Sequence, residues 1–456
     1  MTFLIDALPI MMLGALAMLL FSGLPVAVIL SGLGVSFCLF GIALGEMPVI
    51  ALYNIPPKLI GSIRGSLFYP AVAMLLFMGV ALEKSGIAKD MLTGLRILLR
   101  RVPSGLVIAV LLIGVILAPA AGIVGASVVT LSLIALPTML RSGFHPSIAT
   151  GSVAAAGTVG IILPPAVMLF FLAGEFKVPL GSMFMATVVP GGILLIAYIL
   201  YYLVSGLRRP AAVEAEEIDY PETSLAWVVL LIRGLLMPLG LISLVLGSII
   251  MGWATPSQSG AIGAAGGLLL VIVNGRFSVS LFKELAVTTA NLSAMIFFII
   301  IAAAVFSYPF RYFGGDTTIA DAVSSLEFGP WMMVLFIVGI IFILGFFIDW
   351  IEITVITLPL FIPVLQNLDF TGHVGDTQVM MLWLAAIIAL VLQTSFLTPP
   401  FGFALFFLKG SAPPGVTLDQ IYRGIVPIVV IQITVISLVI SLPDIVLWLP
   451  KLVYGS

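Results

Sequence analysis

Gln393-Thr394-Ser395-Phe396-Leu397-Thr398-Pro399-Pro400-Phe401-Gly402 stands inside an apolar stretch, 378–409, that is otherwise long enough to cross a bilayer. Two adjacent prolines offer no N–H to a helix, and each pushes the residue before it out of the helical region. A helix entering this segment has to stop and restart. Residues 146–174 carry the same punctuation at Gly157-Thr158-Val159-Gly160-Ile161-Ile162-Leu163-Pro164-Pro165. The first break is followed by Leu169-Phe170-Phe171-Leu172 and the second by Leu405-Phe406-Phe407-Leu408. Broken helices in hydrocarbon leave N–H and C=O groups without partners, which is tolerated where those groups line a cavity or hold an ion.

The composition agrees with a membrane setting. Of 456 residues, 62% are hydrophobic and 8% charged, against about 25% charged in a soluble domain. The mean hydropathy is +1.30. The chain reads as an all-α polytopic membrane protein. With a net charge of −2 and no basic run interleaved with aromatics, nucleic acid is not an expected partner. One cysteine, Cys38, excludes an internal disulfide framework and a cysteine-based zinc cluster, and no cofactor is expected. His145 and His373 lie beside turn residues. The N-terminus, MTFLIDALPIMML, lacks a basic leader and reads as a first span rather than a cleaved signal.

Simple spans are expected near 4–22, 24–44, 67–82, 182–206, 225–250, 257–274, 284–308 and 422–449. Two longer apolar stretches are interrupted: 104–141 at Pro119 and the cluster Ala121-Gly122-Ile123-Val124-Gly125-Ala126, and 330–366 around Gly345 to Glu352. These read as re-entrant helical hairpins, and 146–174 and 378–409 as broken helices. Hairpin and broken helix follow in the same order in each half. Ile134-Ala135-Leu136-Pro137 parallels Ile356-Thr357-Leu358-Pro359, and Val188-Val189-Pro190 parallels Ile425-Val426-Pro427. The expected organisation is a duplication, 1–207 and 225–456, joined by the polar linker 208–224.

Charge gives an orientation. If the hairpins enter and leave on one face, one side receives Lys84, Lys89, Arg96, Arg100, Arg101, Arg141, Arg208, Arg209, Arg276, Lys283, Lys409 and Arg423. The other receives Lys58, Arg64, Lys177, Arg311 and Lys451, with Arg233 inside a helix. Basic residues collect on the cytoplasmic side. The first hairpin then enters from the cytoplasm, the second from outside, and the N-terminus lies outside, which is the arrangement of an inverted repeat. Residues 84–101 are basic and amphipathic, and are expected in the cytoplasmic interface beside membrane lipids. Arg311 and the segment Asp316 to Glu327 read as a solvated outer loop.

Matched broken helices meet near the midplane in secondary transporters, offering carbonyls to sodium and helix N-termini to an anion. The candidates are Gly160, Leu163 and Pro165 in the first half and Ser395, Thr398 and Phe401 in the second. At the hairpin tips, Gly122, Gly125 and Ser127 allow close backbone approach, and Gly345, Asp349, Glu352 and Thr354 hold the corresponding place. A carboxylate at membrane depth marks a functional site by default, so Asp349 is a candidate for an ion or substrate contact, together with Thr158, Thr394 and Gly402. Asp349 and Glu352 equally fit N-cap or solvated positions at the aqueous mouth, the favoured reading for Glu352.

At these residues the chain resembles the large (M, DctM-type) membrane subunit of tripartite ATP-independent periplasmic (TRAP) transporters. The resemblance runs through 122–130, Ala135-Leu136-Pro137, 149–165, Ala254-Thr255-Pro256-Ser257-Gln258, 348–354 and 393–402, and so covers essentially the full length. It implies the elevator-type architecture of the ion-transporter superfamily and sodium-driven import of an organic anion delivered by a soluble periplasmic binding protein (P-type). It also implies a separate small four-helix membrane subunit (Q-type) and a place in the bacterial inner membrane. One sodium ion is implied at Gly160, Leu163 and Pro165, another at Gly345, Ser395, Thr398 and Phe401. The chain departs from the family pattern in three places: Ile123 and Val124 stand before Ser127, Ser395 replaces a frequent glycine, and Gln258 replaces a glutamate.

Two other functions compete. A membrane-embedded transferase would want catalytic His, Asp or Cys clustered at an interface, and the acids here are scattered. A passive channel would not need two matched broken helices.

Overall fold

A computed structural model describes residues 7–20, 22–64, 68–121, 124–208, 224–399 and 402–455. The linker expected at 208–224 lies almost wholly outside them, as do Gly122 and Phe401. Among the described residues every regular element is helical, and eight helices are long and apolar enough to cross a membrane.

The N-terminal helices are α1 (Leu8–Leu20), α2 (Val26–Ala43) and a short α3 (Ile55–Arg64) preceded by a 3-10 turn at Val49–Asn54. Then α4 (Tyr69–Lys84) turns by 61° into α5 (Ile87–Leu98). The first hairpin is α6 (Gly105–Ala121) and α7 (Val124–Arg141). The first broken helix is α8 (Pro146–Val159) and α9 (Val167–Glu175), followed by the long α10 (Leu180–Arg208).

The second half opens with α11 (Ser224–Leu231), which passes through a π turn at Ile232–Leu236 into α12 (Met237–Ile250), and continues with α13 (Pro256–Val273). Next come α14 (Val279–Tyr312) and the short α15 (Gly315–Ser324). The second hairpin is α16 (Pro330–Leu344), then α17 (Trp350–Glu352), a π turn at Ile353–Thr357, and α18 (Leu358–Gln366). The second broken helix is α19 (Thr377–Ser395) and α20 (Phe403–Ser411), followed by α21 (Leu418–Ser441) and α22 (Asp444–Tyr454). The order of elbow, hairpin, broken helix and long helix therefore occurs twice. Both elbows turn on a left-handed glycine, Gly86 at φ +74° and Gly314 at φ +80°, a conformation that costs other residues a Cβ clash.

Local chemistry sets the helix starts. Pro146, Pro256 and Pro330 occupy the first helical position, where a missing N–H costs nothing. Thr255 with Gln258 and Thr417 with Gln420 form capping boxes. The glutamate lost from the Thr-Pro-x-Glu pattern is thus replaced by a glutamine that still reaches back to the Thr255 N–H at 2.8 Å.

The two broken helices form the centre. From Ala149 to Val159 every residue of α8 is buried, and so is every residue of α19 from Met380 to Ser395. Both sequences are small or apolar all round, as a helix packed on all sides requires. α8 lies against α6, α7 and α21. At the last contact, a Cβ on Gly151 would sit 2.3 Å from the Gly424 carbonyl, so the two backbones touch, as small residues permit in membrane interfaces.

Three expectations are corrected. The span expected at 422–449 is two helices, because Pro443 pulls Leu442 out of the helical region to φ −126°, ψ 80°. The outer loop at 316–327 is largely α15, with Arg311 paired to Asp316 at 3.4 Å. Helix α5 is amphipathic as expected, with its apolar residues Ile87, Met91, Leu92 and Leu95 buried against α6 and the α11–α12 segment. The segment 345–349 alone forms the second hairpin's tip, so Glu352 is already helical.

Candidate functional site

At the first break, α8 continues through Thr158 and Val159 before the chain unwinds over 160–166. The Ile161 and Ile162 amides donate back to the Thr158 and Val159 carbonyls, each at 3.3 Å. Among the described residues no hydrogen bond reaches the carbonyls of Gly160, Leu163 or Pro165. Gly160 and Pro165 are buried and Leu163 is half-buried against Gly191. A buried carbonyl without a donor is the ligand type that a desolvated sodium ion takes. Thr158 donates its hydroxyl to the Ala154 carbonyl at 3.0 Å.

At the second break, α19 carries Gln393, Thr394 and Ser395 in its last turn, all fully buried. Thr394 donates to Leu390 O, Ser395 to Leu392 O and Thr398 to Thr394 O, each at 2.8 Å. Each hydroxyl proton is thus spent on the chain's own helix, and the oxygen lone pairs remain for a cation. Gly402 closes the break at φ +40°, with its carbonyl accepting from the Leu405 amide at 2.7 Å.

The structure brings Gly345 and Ser395 together. A Cβ on Gly345 would lie 1.9 Å from Ser395 Oγ, so the hairpin tip meets the helix break with nothing between them. Asp349, 8% exposed, caps α17 by accepting from the Trp350 amide at 2.8 Å. Glu352 is equally buried, and its Oε2 has no hydrogen-bond partner. Neither acid is solvated at a mouth; the N-cap reading holds for Asp349. Thr354, fully buried, donates to Trp350 O at 2.7 Å.

The first hairpin goes elsewhere. Gly125 faces the ring of Phe407, where a Cβ would be 2.8 Å away, so α7 packs on the outgoing half of the second broken helix. The second hairpin reciprocates, with Trp350 edge-on to Phe171 of α9 at 5.4 Å between ring centres. Each hairpin therefore rests on the other half's α9 or α20. Ser127 is buried on α7.

One polar residue escaped the sequence reading. Gln393 is fully buried and neither its Oε1 nor its Nε2 has a partner. Over 90% of buried polar groups are paired, and every other side-chain hydroxyl at this break gives its proton to its own helix. The offset that aligns Pro164-Pro165 with Pro399-Pro400 places Gln393 opposite Thr158, and that register was the available signal.

Known proteins resemble this chain in sequence and in fold. The chain is 27% identical over 384 residues to a C4-dicarboxylate TRAP transporter large permease of Pseudomonas aeruginosa, covering 84% of this chain and 86% of that one. It is 26% identical over 448 residues to an isethionate TRAP transporter permease, DctMQ, of Oleidesulfovibrio alaskensis, covering 97% of this chain and 66% of that one. In fold it resembles the YdaH transporter of Alcanivorax borkumensis, with a TM-score of 0.60 at 16% identity over 92% of this chain and 98% of that one. A family model described as "Tripartite ATP-independent periplasmic transporter, DctM component" matches residues 13–445. Two hairpins, two interrupted helices and this match agree: the chain is a multi-pass membrane protein belonging to the DctM family of TRAP transporter large permeases.

Proposed function

We propose that this permease imports a small organic anion by secondary transport coupled to sodium, and is not an enzyme. The observation that carries the reading is the Gly345–Ser395 contact: a hairpin tip and a helix break meet in a buried place rich in hydroxyl oxygens tied at the proton side. The carbonyls of Gly160, Leu163 and Pro165, which accept no hydrogen bond among the described residues, support a second ion position. The anion class follows from the relatives, named for a C4-dicarboxylate and for isethionate. Asp349, Thr158, Thr394, Gly402 and Gln393 flank the two positions and are the side chains from which substrate contacts are drawn.

In this reading, 1–207 and 225–456 are inverted repeats whose hairpins and broken helices travel together as an elevator against the remaining helices, with 208–224 linking them on the cytoplasmic side. The membrane is the bacterial inner membrane and the N-terminus is periplasmic. A soluble periplasmic protein delivers the substrate and a small membrane subunit completes the scaffold. The DctMQ relative, of which this chain covers 66%, supports a small membrane unit as a partner of the permease.

The test is uptake into proteoliposomes holding this chain, its small subunit and its binding protein. An inward sodium gradient should drive accumulation, and an equal potassium gradient should not. Accumulation indifferent to the cation would overturn sodium coupling. Equilibration without accumulation under any gradient would favour the channel.

A further inference from the structure

A cavity of about 570 Å³ opens between the start of α8, the C-terminal half of α10 and the start of α21, away from both helix breaks. We propose that it holds the phosphate headgroup of an anionic phospholipid.

The walls supply donors from three helices and no carboxylate. Arg423, Ser147, Ser205, Tyr201 and His145 line it, with Ile148 and Val204 completing the surface. Arg423 is paired through Nε with Asp419 at 3.0 Å, but both side chains are mostly exposed, and an exposed pair of this kind is weak. A guanidinium fork suits phosphate oxygens. The His145 tautomer is set by its neighbour: Nδ1 accepts the Ser147 amide at 3.3 Å, so the neutral ring carries its hydrogen on Nε2 and donates there. A tetrahedral anion with several acceptor oxygens satisfies donors converging from different helices, which a planar carboxylate does less well.

A lipid is favoured over a free ion by what surrounds the mouth. Leu200 and Leu207 on α10 and Val426 and Val430 on α21 are exposed apolar side chains on the same two helices, so acyl chains have a surface to follow outward. Arg423 at the mouth lies on the side that charge assigns to the cytoplasm. Basic clefts between helices there suit anionic headgroups. The proposal does not depend on which ion or substrate is carried.

The experiment is thermal unfolding of the delipidated full chain in detergent, with phosphatidylglycerol, phosphatidylcholine or inorganic phosphate added at fixed ionic strength. Phosphatidylglycerol should raise the melting temperature by about 4 °C or more, because a ligand held by the folded state stabilises it. Phosphatidylcholine should give much less. Arg423→Gln should lose most of the rise, whereas Lys283→Gln, which removes a basic group from the same face, should keep it. Ser205→Leu, which fills the cavity, should reduce the phosphatidylglycerol retained per chain in native mass spectrometry. An equal rise with phosphatidylcholine, or an undiminished rise in Arg423→Gln, would overturn the site. The full rise with inorganic phosphate alone would overturn the lipid assignment.

Discussion

Gly345 has no side chain because Ser395 occupies the space one would fill. A methyl group there must push Ser395 or the hairpin tip aside, an overpacking that costs about 1–3 kcal/mol. It also moves the hydroxyl that the proposed ion position uses. Gly345→Ala is therefore expected to cut sodium-dependent uptake at least about tenfold and to raise the sodium concentration needed for half-maximal rate. Wild-type sodium activation in that variant would remove the ion from this contact. Gln393 makes the opposite kind of prediction. Replacing unpaired buried polar groups by an apolar residue of similar shape is close to neutral for stability, so Gln393→Leu should melt at or above the wild-type temperature. If its carboxamide meets substrate, the same variant should transport poorly; a stable variant with an unchanged KM would show Gln393 to be inert. The sequence named Ser395, Thr398 and Gly345 because prolines and glycines mark a break locally. Only the register of the two proline pairs marks Gln393, whose isolation follows from every surrounding helix at once.

At the scale of elements, the same distinction separates what was readable from what was not. The hairpins and broken helices are punctuated within the chain, by Pro164-Pro165, by Pro399-Pro400 and by the small residues near 122 and 345. Helix α15 was missed because its polar sequence, Gly-Asp-Thr-Thr, resembles a loop until Gly314 turns it back onto α1 and α18. Helix α5 was legible as amphipathic, but that its apolar face is covered by α6 and the α11–α12 segment was not, since apolarity does not say whether lipid or protein covers a face. Its elbow is pinned by Arg276, whose Nη1 donates to Ser85 O at 2.5 Å and Nη2 to Asp90 at 2.8 Å. Lys84 pairs with Glu284 beside it. Arg276→Gln should loosen this joint, visible as faster amide exchange in 86–98, with little change in α8 or α19. Equal protection across 86–98 would mean that burial of Met91 and Leu95 holds the elbow unaided. The α8–α21 contact is less forgiving. Gly151→Ala sets a methyl against the Gly424 backbone, where no side chain can rotate away, and should lower the melting temperature by several degrees.

For the whole molecule, the proposed ion positions join segments far apart in sequence, so an ion bound there resists unfolding. Sodium should raise the melting temperature of the purified chain above its value in potassium at equal ionic strength, and Gly345→Ala should shrink that difference. A rise identical in both salts would count as general screening and would weaken sodium coupling relative to proton coupling.

The crossed seating of the hairpins has a further consequence, for synthesis. When the ribosome has made residues 1–207, Phe171 has no Trp350 beside it and Gly125 has no Phe407 over it. The first half reaches the membrane with partners still to come: its hairpin is finished only when Phe407 arrives from the second half, whose own hairpin then docks on Phe171. Insertion of this chain is thus an assembly of two unfinished pieces, and a gene cut within 209–223 should yield fragments that are degraded when made singly and rescue each other when made together.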